Sequence, residues 1–142
     1  MLIVSAAVVQ RGSHIMLCQR KPGVHNGLKW EFPGGKLEQG ETPEQALRRE
    51  LQEELSIDTR VGRIMDAVLH RYPDRDVLVL FYRCEILSGE PRPVDCNAVA
   101  WALPADLPKY DFAGADQLFV HRNFSQKPSP LGEGGTAAGC DG

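Results

Sequence analysis

Gly34-Gly35-Lys36-Leu37-Glu38-Gln39-Gly40-Glu41, running on into Thr42-Pro43-Glu44-Gln45-Ala46-Leu47-Arg48-Arg49-Glu50-Leu51-Gln52-Glu53-Glu54-Leu55-Ser56-Ile57, is the stretch on which the fold turns. Its second half predicts a helix with a clear start: Thr42 is a good N-cap, Pro43 suits the first helical position, and Gln45 completes a capping box. At about 100° per residue, Leu47, Leu51 and Leu55 form one apolar stripe. Glu50, Glu53 and Glu54 form a second stripe on its flank, and Gln45, Arg48 and Gln52 take the solvent side. Three carboxylates at i, i+3 and i+4 repel one another, and partial burial strengthens the repulsion by lowering the local dielectric. A hard divalent cation with oxygen ligands would relieve it. Ala46, small and on the same side, is expected to leave room for ions and water. Arg49 stands four residues before Glu53 and is expected to hold it by an ion pair, while Glu41 folds back toward the helix. Gly34 and Gly35 let the backbone approach closely. Taken alone, the same residues also fit a solvated acidic helix face.

Working outward, Leu2 to Val9 is nearly all apolar and predicts a buried strand, with Arg11-Gly12-Ser13 as the turn and Ile15 to Gln19 as the return. Lys21 to Leu28 reads as a loop, and Trp30-Glu31-Phe32 as a short strand stopped by Pro33-Gly34-Gly35. Val61 to Tyr72, with a bulge, and Val77 to Ile86 predict a hairpin around Pro73-Asp74-Arg75. Ala98 to Leu103 predicts another strand, the stretch after Pro104 a short turn or helical segment, and Ala115 to Asn123 a final helix. From about Ser125 to Gly142 the composition turns to Gly, Pro and Ser, too poor in large apolar groups to offset its ordering entropy, so disorder is expected there. Several strands around one strong helix predict an α+β domain spanning residues 1–124.

The chain has 142 residues, which suits one domain able to bury a core without staples. A net charge of −3 advertises no broad basic surface, so stable nucleic-acid binding is not expected, and phosphate handling would need metal ions or a few placed arginines. Cys18, Cys84, Cys96 and Cys140 form no C-x-x-C pair and are expected to be reduced thiols. The apolar run Leu2 to Val9 is too short for a bilayer and lacks a basic leader, so a cytoplasmic protein without membrane partners is expected. His14, His25, His70 and His121 show no mutual ligand spacing and read as turn or surface residues.

Gly35, Glu41, Arg49-Glu50-Leu51, Glu53-Glu54 and Ile57 stand at the spacing G-x5-E-x7-R-E-U-x-E-E-x-G-U, U being a bulky aliphatic residue, so the segment resembles the Nudix box. Ser56 departs from that pattern, standing where the family has a helix-ending Gly. The likeness extends over about Leu2 to Phe124, and Trp30-Glu31-Phe32-Pro33-Gly34-Gly35-Lys36 resembles the MutT-type sanitising nucleotide hydrolases.

The resemblance implies a Nudix-like α/β/α sandwich with a mixed sheet and a catalytic loop–helix. It implies Mg²⁺ or Mn²⁺ held at Gly34, Glu50, Glu53 and Glu54, with Asp95 where the family has a further Glu. It implies a water attacking phosphorus, a carboxylate such as Glu50 or Glu53 taking the proton, and Arg49 and Glu41 completing the catalytic set. Arg20 and Lys36 are candidates to stabilise phosphate charge, Phe32 to touch the nucleoside, and Asp74 and Arg75 to close over the base. Asp116 sits where some members carry an Asn that reads oxidised guanine. An Asp presents acceptors unless protonated, which could redirect preference toward cytosine-type amino donors. The expected reaction is release of nucleoside monophosphate and pyrophosphate from a nucleoside triphosphate, by a monomer or homodimer. Two alternatives stay open: hydrolysis of another nucleoside diphosphate derivative, and a nucleotide-binding sensor without catalysis.

Overall fold

The computed structural model describes residues 1–125, with β1 (Leu2–Arg11) at its centre. Alternate side chains of β1 enter two separate cores: Ala6 and Val8 on one face, Ala7 and Val9 on the other. β2 (His14–Gln19) does the same, with Ile15 and Leu17 opposed to Met16 and Cys18. Both faces are covered, which is why these strands read as nearly continuous apolar runs rather than alternating ones. On one face lies α1 (Pro43–Leu55), burying Leu47, Leu51 and Leu55 completely. On the other lie α2 (Gly114–Phe124) and a 3-10 segment over Pro104–Lys109, which bury Ala115, Phe119, Val120 and Leu107. The result is the α+β sandwich expected from the sequence.

The sheet is mixed. β1 runs parallel to β6 (Asp76–Ser88) and antiparallel to β4 (Gly34–Lys36), and its far end pairs with β2. β2 is flanked by β7 (Ala98–Ala102) and by β3 (Trp30–Glu31). β5 (Asp58–Arg71) and β6 form the predicted hairpin, closed by the Tyr72 N–H donating to the Arg75 carbonyl at 2.9 Å. β5 begins three residues earlier than expected, and its register shifts between Val61 and Asp66 confirm the bulge.

β3 stops before Pro33 as expected, but the glycines that follow are not a loop: Gly34–Lys36 is a separate strand, paired with Val4, Ser5 and Ala6. A Cβ at Gly34 would run into the Ser5 carbonyl, so the glycine is what lets β4 lie against β1.

α1 starts as its sequence dictates. The Gln45 N–H donates to Thr42 Oγ1 at 3.1 Å, and the Thr42 N–H to Gln45 Oε1 at 2.9 Å, a complete capping box. It ends at Ser56, which holds the left-handed conformation (φ 58°) and donates its N–H to the Gln52 carbonyl at 3.0 Å. The Ser in place of Gly therefore keeps the helix-ending geometry. Cys18 and Cys84 are buried free thiols, as expected. Ser125 closes α2 as its C-cap; the rest of the segment expected to be disordered, with Cys140, lies outside the described residues.

Candidate active site

The loop before α1 is tied to the helix by Arg49. Its Nε and Nη2 donate to the two Glu41 carboxylate oxygens at 2.7 and 3.0 Å, a bidentate pair. Nη2 also donates to the Lys36 carbonyl at 3.2 Å. Nη1 reaches Glu50 Oε2 at 3.0 Å and Glu53 Oε1 at 3.4 Å. The expected Arg49–Glu53 contact exists, but Glu41 is the principal partner. The Arg49 guanidinium holds the Glu41 carboxyl below the usual carboxylate range, helped by the Glu38 N–H.

The glutamates differ in surroundings. Glu50 is mostly buried, and its carboxyl fills the space that a Cβ on Gly35 would occupy. Glu53 is the most open, with 61% of its side chain exposed. Glu54 is largely enclosed: burial pushes its carboxyl up to about 9, and the negative charges of Glu50, Glu31 and Asp95 push the same way. Among the described residues Glu54 has no cationic side-chain partner. Ala46 does not leave room for water as expected; it is fully buried where α1 meets the sheet.

Asp95 reaches this side of the molecule, since its N–H donates to the Glu54 carbonyl at 3.2 Å. Its carboxylate is taken by Lys21 Nζ at 2.6 Å. Among the described residues no three His, Cys, Asp or Glu side chains converge as ligands of one ion. The reason is visible in the pairing: Arg49 holds Glu50 and Glu53, and Lys21 holds Asp95.

Two clefts meet here. A smaller one of about 240 Å³ is lined by Arg20, Lys21, Glu31, Glu54, Asp95 and Cys96. A larger one of about 560 Å³ has a floor of Leu2, Val4, Val77 and Val79, and walls that include Tyr72, Asp74, Arg75 and Asp116. Arg20 and Glu31 line both clefts and are paired at 3.1 Å. Burial raises the Glu31 carboxyl, and Arg20 pulls it back.

Arg20, Asp74, Arg75 and Asp116 are thus brought together as expected. Asp116 Oδ2 accepts the Phe32 N–H at 2.8 Å. Enclosure by protein pushes the Asp116 carboxyl up to about 8, against the Phe32 N–H and with the Glu31 charge adding to the rise. A carboxyl at that value carries a proton part of the time at neutral pH, and so donates as well as accepts.

Two expected substrate residues are not brought in. Phe32 is buried, stacked on Phe112 at 5.4 Å and edge-on to Phe81 and Phe119, so its ring is core and lines neither cleft. An apolar ring just past a short strand, beside three other phenylalanines, buries more surface inward than a cleft wall would offer. The Lys36 side chain is exposed and lines neither cleft; only its carbonyl takes part, through Arg49.

Glu31 is the residue that sequence reasoning missed. Its one signal was a carboxylate set between Trp30 and Phe32, where strand alternation turns it to the opposite face from those two rings, beside Cys18. His25, an exposed turn residue as read, and His70, which instead lies partly buried within β5, both line the larger cleft, with His70 edge-on to Tyr72 at 4.3 Å. No spacing could have found them, because the cleft assembles from segments distant in the chain.

Comparison with known proteins identifies the family and the fold. Residues 1–122 match the NUDIX domain family model. The chain is 34% identical over 118 residues to an 8-oxo-dGTP diphosphatase of Escherichia coli K12, covering 83% of this chain and 92% of that protein. It is 33% identical over 116 residues to a CTP pyrophosphohydrolase of the same organism, covering 82% and 86%. The crystal structure of a MutT NUDIX hydrolase from Burkholderia pseudomallei superposes with a TM-score of 0.75 at 28% identity, covering 84% and 95%. Among the described residues no helix is long and apolar enough to cross a membrane.

Proposed function

The chain belongs to the NUDIX family as a MutT-like hydrolase, and from that premise we propose that it cuts (deoxy)nucleoside triphosphates to nucleoside monophosphate and pyrophosphate. The observation that carries this reading is the pair of clefts joined at Arg20 and Glu31: one is large, partly apolar and fit for a nucleoside, and the other is lined with carboxylates. A triphosphate laid from the first into the second needs positive charge at its far end, and the two cations lining that cleft, Arg20 and Lys21, are already paired with Glu31 and Asp95.

Glu54 supplies the fit test for a divalent cation. It is an enclosed carboxylate among three others, without a cationic side chain of its own, a donor set of hard oxygens that a Mg²⁺ or Mn²⁺ ion would neutralise. Glu50, Glu53 and Glu54, with the Gly34 carbonyl and Asp95 from across the cleft, would hold it. A bound ion of this kind neutralises phosphate oxygens and lowers the pKa of bound water.

The protein's own groups do the rest. Arg49, fixed by Glu41, sets the position of Glu50 and Glu53. One of those two carboxylates accepts the proton of the attacking water. Arg20 offers its guanidinium to the phosphates at the junction of the clefts, and Asp74 and Arg75 close over the base from the hairpin turn. Asp116, when protonated, presents one O–H and one acceptor to the base edge. This supports an oxidised guanine or a cytosine-type base, the two classes named for the relatives. Either would place the protein in sanitising the nucleotide pool. We further infer that residues 1–124 form the hydrolase domain.

The test is pyrophosphate release from a panel of triphosphates, including 8-oxo-dGTP and CTP, with Mg²⁺ or Mn²⁺. Monophosphate and pyrophosphate in equal amounts are expected. Release of orthophosphate, or no turnover of any triphosphate, would overturn the reading.

A further inference from the structure

Ser5 lies mid-way along β1, wholly buried, and its Oγ has no hydrogen-bond partner among the described residues. Native folds rarely keep such a hydroxyl, because it forfeits the bonds it had to water. Strand alternation puts Ser5 on the face of Ala7 and Val9, the one covered by α1. Its antiparallel partner is Gly35, and opposed residues share a face. A Cβ on Gly35 would collide with the Glu50 carboxyl, so that carboxyl hangs over the Ser5–Gly35 pair. Ala46, one turn before Glu50 and fully buried, covers the same face without bulk. Ser5, Gly35 and Ala46 therefore make a floor of small residues beneath Glu50, with the Ser5 hydroxyl as its one polar side-chain group. Above that floor, Glu50 Oε2 is engaged by Arg49 Nη1 at 3.0 Å.

We propose that Ser5 is a positioning residue whose hydroxyl donates to the Glu50 carboxylate when that carboxylate turns from Arg49 toward a divalent cation. The inference rests on the role given to Glu50 above. A hydroxyl rotates freely to find its acceptor, and a bond to an ionised carboxylate is of the stronger kind. The hydroxyl left unpaired with Glu50 on Arg49 is the donor that becomes paired when Glu50 moves.

The experiment uses the full chain with Ser5→Ala, Ser5→Thr and, as a control, Thr59→Val. Thr59 carries the other buried hydroxyl without a partner among the described residues, at the start of β5 and outside the site. Thermal midpoint, Mn²⁺ affinity by calorimetry and pyrophosphate-release kinetics are read for each. For Ser5→Ala we expect a midpoint no lower than wild type, kcat down about tenfold with KM little changed, and Mn²⁺ binding several-fold weaker, the scale of one hydrogen bond. Ser5→Thr, which keeps the hydroxyl, recovers part of both losses, and Thr59→Val leaves both unchanged. Ser5→Ala with wild-type kcat and Mn²⁺ affinity overturns the proposal, as does a fall in midpoint with no change in Mn²⁺ affinity. Should the wild type turn over no triphosphate, the reading of function fails separately, and the Mn²⁺ comparison still decides the part played by Ser5.

Discussion

Arg49 grips both carboxylate oxygens of Glu41, at 2.7 and 3.0 Å, across eight positions of sequence. The pair fastens the glycine loop to the helix that bears the glutamates, and it leaves one guanidinium nitrogen for Glu50 and Glu53. Lysine carries the same charge without the planar fork. Arg49→Lys should therefore keep the fold but lower kcat by about 10²-fold, the scale of a small misplacement of reacting groups. Steady-state kinetics beside a circular dichroism spectrum checks this; wild-type kcat in the lysine variant would show that the fork is dispensable.

Glu53 is the most exposed carboxylate of the acidic stripe, so its charge does little for the fold. Glu53→Gln should leave the melting midpoint within a degree or two, yet reduce turnover by at least about 10²-fold, the scale of a lost general base. Glu54→Gln should behave differently. It removes an enclosed carboxyl that is disfavoured as an anion, so stability should rise while activity falls. Full turnover in Glu53→Gln removes that residue from the proton transfer and leaves Glu50 to carry it.

The extent to which these features were legible differs by the kind of signal. α1 was legible to the residue, because Thr42, Pro43, Gln45 and the leucine stripe all act locally. The burial of β1 was legible from its nearly continuous apolar run. β4 was not, since glycine reads as a breaker and its pairing to β1 depends on close backbone approach between segments about thirty residues apart. Phe32 and Lys36 were misplaced for a related reason. A strand's period says which residues share a face, but not whether that face meets a cleft or a core. Glu31, His25 and His70 became visible only when four separate segments came together around Arg20 and Tyr72.

Ser56 holds a left-handed backbone that glycine adopts without steric cost. Ser56→Gly should raise stability by about 0.5–1 kcal/mol, the strain relieved being partly offset by the greater freedom of glycine in the unfolded chain. Urea unfolding measures it. Activity should not change, because the residue ends the helix past Glu54 and does not line either cleft. A loss of stability would mean that the contact of Arg92 with the Ser56 hydroxyl, at 3.5 Å, outweighs the backbone strain.

Asp116 links stability to pH. Its carboxyl lies near the ordinary value of 3.8 when unfolded and is pushed up to about 8 when folded. Between those values the folded chain binds the proton more tightly than the unfolded chain. The stabilisation is complete below about pH 4 and is lost as pH rises toward 8, at up to about 1.4 kcal/mol per pH unit. Glu31 and Glu54 are shifted in the same direction and contribute the same sign, so the wild-type slope alone assigns nothing to Asp116. Asp116→Asn isolates it: the amide keeps an oxygen for the Phe32 N–H and does not titrate. The variant should therefore lose less stability than wild type between pH 5 and 8, measured by urea midpoints at each pH. Its base preference should also stop depending on pH in that range, since the amide presents donor and acceptor together at every pH. Equal slopes in the two proteins would show that Asp116 ionises normally, and the protonated-carboxyl reading of the base would fall with it.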